Sequence, residues 1–167
     1  IVKLAEMNSN DSRAETKQIT EDWITAYGDE IDVIFAANDE SLMGAVQATT
    51  EAGMEKDVVM CACNATAEVL PYLQDGTVNM TFALAPGVFP GLEMAIDILN
   101  GNADKYQSWY EIPCFPVTSD NISLYYDDCI EQDVYMVGLL SPDTNPLYKD
   151  LETLYPELVP LIDMSLK

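Results

Sequence analysis

Ile31–Gly53 reads IDVIFAANDESLMGAVQATTEAG, and this stretch decides the fold. Ile31–Ala37 is dominated by branched and aromatic apolar residues, as in a strand buried between two layers. Asn38, Asp39 and Glu40 follow without a spacer. Leu42, Met43 and Val46 then recur on one face of a helix running from about Glu40 to Glu51, and Gly53 supplies its stop. A strand that runs straight into a helix is half of a βα unit. The polar residues at the junction have two uses, helix capping or facing a crevice. Asp39 is read as the cap and Asn38 as facing the crevice, because Asn8 and Asn64 are expected on the same rim.

The alternation continues on both sides. Ile1–Met7 reads as a strand, and Asn10-Asp11-Ser12 can cap a helix with Ile19, Trp23 and Tyr27 on one face. After Gly53 come a strand over Val58–Cys63, a short helix opened by Thr66 and closed by Gly76, and a strand over Val78–Ala83. Pro86-Gly87 turns into a helix carrying Leu92, Ala95, Ile96 and Leu99. Trp109–Val117 reads as a longer fifth strand, and Ser119-Asp120 as the cap of a helix to Glu131. The expected class is α/β: a doubly wound, mostly parallel sheet with helices on both faces, spanning residues 1–132. Residues 133–167 form a C-terminal extension of undefined role, Pro-punctuated from Ser141-Pro142. Tyr148, Leu151, Leu154 and Tyr155 there are spaced for an amphipathic helix, and a second short helix follows Pro156.

Charge excludes one class of partner. Seven Lys and Arg face 29 Asp and Glu, a formal net charge of −22. Nucleic-acid binding needs clustered cations, so it is not expected. The acids are dispersed and read as a solvated, repulsive surface. There is no histidine, which removes His-based catalysis and the usual metal sites. Cys61, Cys63, Cys114 and Cys129 fit no zinc spacing and read as buried free thiols. No G-x-S-x-G elbow, phosphate-binding loop or dinucleotide fingerprint is present. The chain is therefore read as a non-enzyme that needs no cofactor and no metal.

In open α/β sheets, ligands bind beyond the carboxyl ends of the strands. Those ends carry Asn8-Ser9-Asn10, Asn38-Asp39, Asn64-Ala65-Thr66 and Leu84-Ala85-Pro86. An amide offers donors and an acceptor together, which suits a neutral polyhydroxylated ligand; it also suits capping. The candidate ligand-binding residues are Asn38, Asn64, Leu84, Asn8 and Asn10.

Three segments carry a family resemblance: Ile31–Gly53, then VVMCACNATAEVLPYLQDGTVNMTFALAP at 58–86, then GLEMAIDILNG at 91–101. Together they resemble the carboxy-terminal lobe of the periplasmic sugar-binding proteins, the ribose- and galactose-type solute receptors of ABC transporters. The resemblance covers about residues 1–130. It implies a hinged, two-lobed clamp that holds a sugar or sugar-like solute and delivers it to a membrane permease, outside the cytoplasm. The related ligand domains of lactose-repressor-type regulators, or a membrane sensor, are the alternative. Asn38 matches the family's ligand-contacting amide. Asn64 stands where the sugar receptors usually have Asp, and Leu84 where the ribose type has Gln. Arg13 matches a basic residue of the first helix, with a structural role. The lobe's first βα unit would precede Ile1, so the resemblance also implies an incomplete sheet, with homodimerisation or strand swapping through the gap.

Overall fold

The computed structural model describes residues 1–84, 88–140, 143 and 145–157. Helix α1 (Arg13–Tyr27) starts at Ser12, whose Oγ accepts from the Glu15 N–H as expected of a cap. Then come β1 (Val33–Phe35), α2 (Asp39–Ala52), β2 (Val59–Cys63), α3 (Leu70–Gln74) and β3 (Met80–Leu84). They are followed by α4 (Val88–Leu99), β4 (Cys114–Val117), α5 (Tyr126–Glu131) and α6 (Pro146–Leu154). The sheet has the order β1-β2-β3-β4. The first three strands are parallel, with Val33 opposite Val59 and Cys61 opposite Met80; β4 returns antiparallel, with Leu84 opposite Cys114. This mixed α/β sheet with flanking helices is the expected class, with one departure: among the described residues no helical layer covers the face that carries Val33, Phe35, Val59 and Leu84.

Helices α2 and α3 are the crossovers between neighbouring parallel strands, so right-handed connection puts both on one face. That face receives Ile34, Met60, Ala62, Ala83 and Val117, all buried. Leu42, Val46, Leu70, Leu73 and Tyr125 close over them. Helix α1 lies across α2 at the close approach that Gly44 permits: a Cβ there would run into the backbone of Arg13 and Lys17. On the opposite face, Val33, Phe35, Val59 and Leu84 remain 56%, 63%, 46% and 44% exposed.

Several expectations change. Ile1–Met7 is not a strand. It finds no ladder partner among the described residues; the Tyr27 hydroxyl donates to the Leu4 carbonyl at 3.3 Å. A strand exists through its pairing, and apolar composition alone does not supply it. The fifth strand shrinks to Cys114–Val117 because only these residues lie opposite β3. Thr66 does not open a helix; α3 begins at Leu70, and Thr66 is used by a buried carboxylate described below. Ser119-Asp120 do not cap α5, which follows a 3₁₀ turn over Ile122–Leu124. All four cysteines are free, but only Cys129 is buried. Cys61 and Cys63 share the uncovered sheet face, half-buried, and Cys114 is exposed on the edge strand.

Residues after 132 join the same core. Val137, Leu140, Leu147, Tyr148 and Leu151 are buried with the sheet residues. Asn145 anchors this segment: its Nδ2 donates to the Val137 carbonyl at 2.7 Å and its Oδ1 caps α6 at Leu147. Of the expected apolar face of α6, Leu154 alone is exposed. The Pro86–Gly87 turn, Ala85, Ser141-Pro142 and the helix expected after Pro156, from residue 158, lie outside the described residues.

Candidate functional site

The parallel strands β1, β2 and β3 are neighbours, so their carboxyl ends form one continuous rim. Asn38 follows β1, Asn64 follows β2, and Leu84 ends β3.

At the first position the capping assignment is corrected by one residue. Asn38 is the cap of α2: its backbone is extended, and its Oδ1 accepts from the Ser41 N–H at 2.8 Å. Its Nδ2 donates to Asp11 Oδ1 at 2.7 Å. Asp39 is the first helical residue and turns inward, only 1% exposed. The sequence left two adjacent cap formers, and the cap must take extended backbone just outside the first turn, which Asn38 does. Asn38 therefore caps the helix and also stands on the rim.

Asn8 and Asn10 lie beside it, in the turn before α1. Asn8 Oδ1 accepts from the Asn10 N–H at 2.9 Å, and Asn10 Nδ2 donates to Glu15 at 2.9 Å. Asn10 and Asp11 both have positive φ, 51° and 56°, a region Asn and Asp tolerate better than most residues. A cavity of about 120 Å³ opens here between the turn, α1 and β1. Ile19, Trp23 and Ile34 line its apolar side; Asn8, Ser9, Asp11 and Ser41 line its polar side.

The second position is conformationally unusual. Asn64 has φ 113° and Ala65 φ 49°. Non-glycine residues held this way cost on the order of 1–3 kcal/mol each, and persist only where surrounding contacts dictate them. The contacts are present. The Asn64 N–H donates to the Phe82 carbonyl at 2.8 Å, and the Ala65 carbonyl accepts from the Val137 N–H at 2.9 Å. The Ala65 N–H donates to Thr81 Oγ1 at 3.2 Å. The Asn64 side-chain amide makes no hydrogen bond among the described residues and is half-buried. Among the described residues, Asn8, Asn10 and Asn38 spend amide groups on protein partners and Asn64 does not.

At the third position, Leu84 presents an apolar side chain. Residues 134–140 cross the strand ends beside it: Thr66 bridges Met136, the Ala67 N–H donates to the Tyr135 carbonyl at 2.8 Å, and Gly138 passes over Leu84. A Cβ at Gly138 would collide with the Leu84 carbonyl oxygen, so no other residue fits this crossing.

The partners of two charged residues, Arg13 and Asp39, were not legible in the sequence. Arg13 forms a double fork, to Glu40 at 3.0 and 2.7 Å and to Glu68 at 2.8 and 2.8 Å. Those hydrogen bonds raise the Arg13 pKa and hold the Glu68 carboxyl below its ordinary range. Arg13 joins α1, α2 and the loop after β2, consistent with a structural role. Buried Asp39 accepts from the Thr66 N–H at 2.7 Å, from Thr66 Oγ1 at 3.0 Å and from Thr81 Oγ1 at 2.7 Å. Burial pushes its pKa up, against the opposing pull of these hydrogen bonds. The available signal was Thr81: a hydroxyl on the inward phase of an apolar strand needs a buried partner. Among the described residues, no group of three or more Cys, Asp and Glu is placed to hold a metal ion.

Residues 1–103 match the family model of the periplasmic binding protein domain. A xylitol-binding protein of Mycolicibacterium smegmatis is 28% identical over 147 residues, 82% of this chain and 39% of that protein. The galactofuranose-binding protein YtfQ of Escherichia coli is 29% identical over 92 residues, 52% of this chain and 29% of that protein. The chain thus spans well under half the length of these relatives. Among solved structures, a galactofuranose-binding protein superposes with a TM-score of 0.70 at 20% identity, over 78% of this chain and 46% of that one. The binding protein of an arabinose ABC transporter from Shewanella sp. ANA-3, bound to L-arabinofuranose, superposes with a TM-score of 0.64 at 26% identity, over 73% of this chain and 41% of that one. With its parallel strand ends forming a polar rim and its family model matched over 103 of 167 residues, the chain belongs to the periplasmic binding protein domain family.

Proposed function

We propose that this chain is one lobe of the solute-binding component of an ABC transport system. It captures a sugar or polyol reversibly, without chemistry, and presents it to a membrane permease outside the cytoplasm. The observation that carries this reading is the rim of Asn38, Asn64 and Leu84 on adjacent strand ends, in a chain whose named relatives bind xylitol, galactofuranose and arabinose. An amide with unused donors and acceptor beside an apolar residue suits a hydroxylated carbon skeleton, which presents O–H groups and C–H faces together. A second lobe closing on this rim would bury both.

The test is a thermal-shift screen of the full gene product against xylitol, L-arabinose, D-galactose, D-ribose and myo-inositol, followed by calorimetry of any hit. A ligand at a hundredfold its Kd stabilises by about 2.7 kcal/mol, a shift of several degrees in a domain this size. Asn64→Ala should reduce that shift, measured against the variant's own ligand-free melting temperature. Binding that is indifferent to Asn64→Ala would place the ligand elsewhere.

A further inference from the structure

The Asp39 carboxylate is buried without capping a helix and without an ion pair among the described residues. A first-turn acid could favour the helix dipole from the surface, as neighbouring Glu40 does, so the dipole does not explain the burial. All three of its hydrogen bonds go to Thr66, in the loop after β2, or to Thr81, on the adjoining strand β3. Thr81 passes the constraint on: its hydroxyl donates to Asp39 and accepts from the Ala65 N–H. Asn64 and Ala65, the two residues with positive φ, are thus fixed on their C-terminal side by a network that begins at Asp39.

We propose that Asp39 is the positioning residue of the rim: through Thr66 and Thr81 it holds Asn64 and Ala65 in their positive-φ conformations and sets the Asn64 amide where a hydroxylated solute reaches it. Asp39 itself touches no solute. The inference rests on the reading of Asn64 as a ligand contact, and it adds a residue that neither capping nor ligand contact would select. Substitution by Asn is nearly isosteric but fails here. One side of an amide satisfies the Thr66 donors, and its NH₂ then faces the Thr81 hydroxyl, which loses its acceptor.

The experiment uses Asp39→Asn, Asn64→Ala and the double variant, with Thr81→Val as a second route into the network should Asp39→Asn fail to fold. Amide hydrogen exchange is the first readout. Asp39→Asn or Thr81→Val should speed exchange at Ala65, whose N–H is held by the Thr81 hydroxyl, at least tenfold more than at the core amide of Met60. Uniform acceleration, or none at Ala65, overturns the proposal. Affinity for xylitol and L-arabinose in the full gene product is the second readout. Asp39→Asn should weaken binding about tenfold in the wild-type background and cause no further loss in the Asn64→Ala background. Additive losses mean that Asp39 acts independently of Asn64, and they overturn it. If neither sugar binds, the solute reading loses its support, while the exchange pattern still decides whether Asp39 holds the loop.

Discussion

Replacing Gly44 by alanine tests the packing of α1 on α2 with a sign that helix propensity alone gets wrong. Gly44 sits inside α2, where Gly→Ala ordinarily stabilises by about 1 kcal/mol. Here the new Cβ would meet the Arg13 carbonyl oxygen well inside contact distance, lie 2.9 Å from the Lys17 nitrogen and 3.0 Å from Thr16 Cβ. The first two are backbone atoms and cannot rotate away. Helix α1 must move instead, and the Arg13 fork on Glu40 and Glu68 moves with it. Overpacking of this kind costs about 1–3 kcal/mol, more when backbone must shift. Set against the propensity gain, the expected net loss is about 1–2 kcal/mol, a fall of several degrees in melting temperature. Gly91 in α4 is the internal control: nothing lies within 4 Å of its would-be Cβ, so Gly91→Ala should stabilise by up to about 1 kcal/mol. Urea denaturation of both variants, with unchanged m, measures the pair. A Gly44→Ala variant as stable as Gly91→Ala would refute the close helix crossing.

Asn38→Ala should cost about 1 kcal/mol of ligand-free stability in chemical denaturation, because it removes the cap of α2. Asp39 predicts a pH dependence. Its pKa is raised on folding by burial, so the stability it contributes is fully present below the ordinary carboxylate value of 3.8 and is lost as pH rises through the folded value. The stability advantage of wild type over Asp39→Asn should therefore be largest in acid and shrink towards neutrality in a denaturation series across pH; an advantage that grows with pH would refute the assignment. Cys129, buried and with its thiol pushed up to about 11, should be the last cysteine alkylated by iodoacetamide at pH 8, and exposed Cys114 the first, by peptide mass mapping. The side of β1 that pairs with no strand among the described residues, and the largely exposed Ile1–Met7 segment, predict self-association of the 167-residue chain, checked by light scattering; a monodisperse monomer would count against it.

The β1–α2–β2 core was readable because strand, cap former, helix face and terminating Gly53 all lie within one local window. Long-range partnership was not. Nothing within Ile1–Met7 says whether a strand will lie alongside it, so its apolar residues read as β and remain unpaired. The rim positions followed from the general rule about strand ends, yet the cap fell to Asn38 and Asp39 turned into the core, because adjacent cap formers differ only in backbone conformation. The Asp39–Thr81 hydrogen bond joins residues 42 apart in sequence, and no local pattern links them.

The crossing of residues 134–140 over the strand ends makes the rim mechanically accountable to the rest of the chain. Val137 and Tyr135 are tied to Ala65 and Ala67 by backbone hydrogen bonds, and Gly138 rides on the Leu84 carbonyl with no slack. A pull on this segment reaches the Asn64 loop as directly as the core. Any displacement of residues 134–140 would therefore bear on the loop that carries Asn64, like a drawstring on the mouth of a bag.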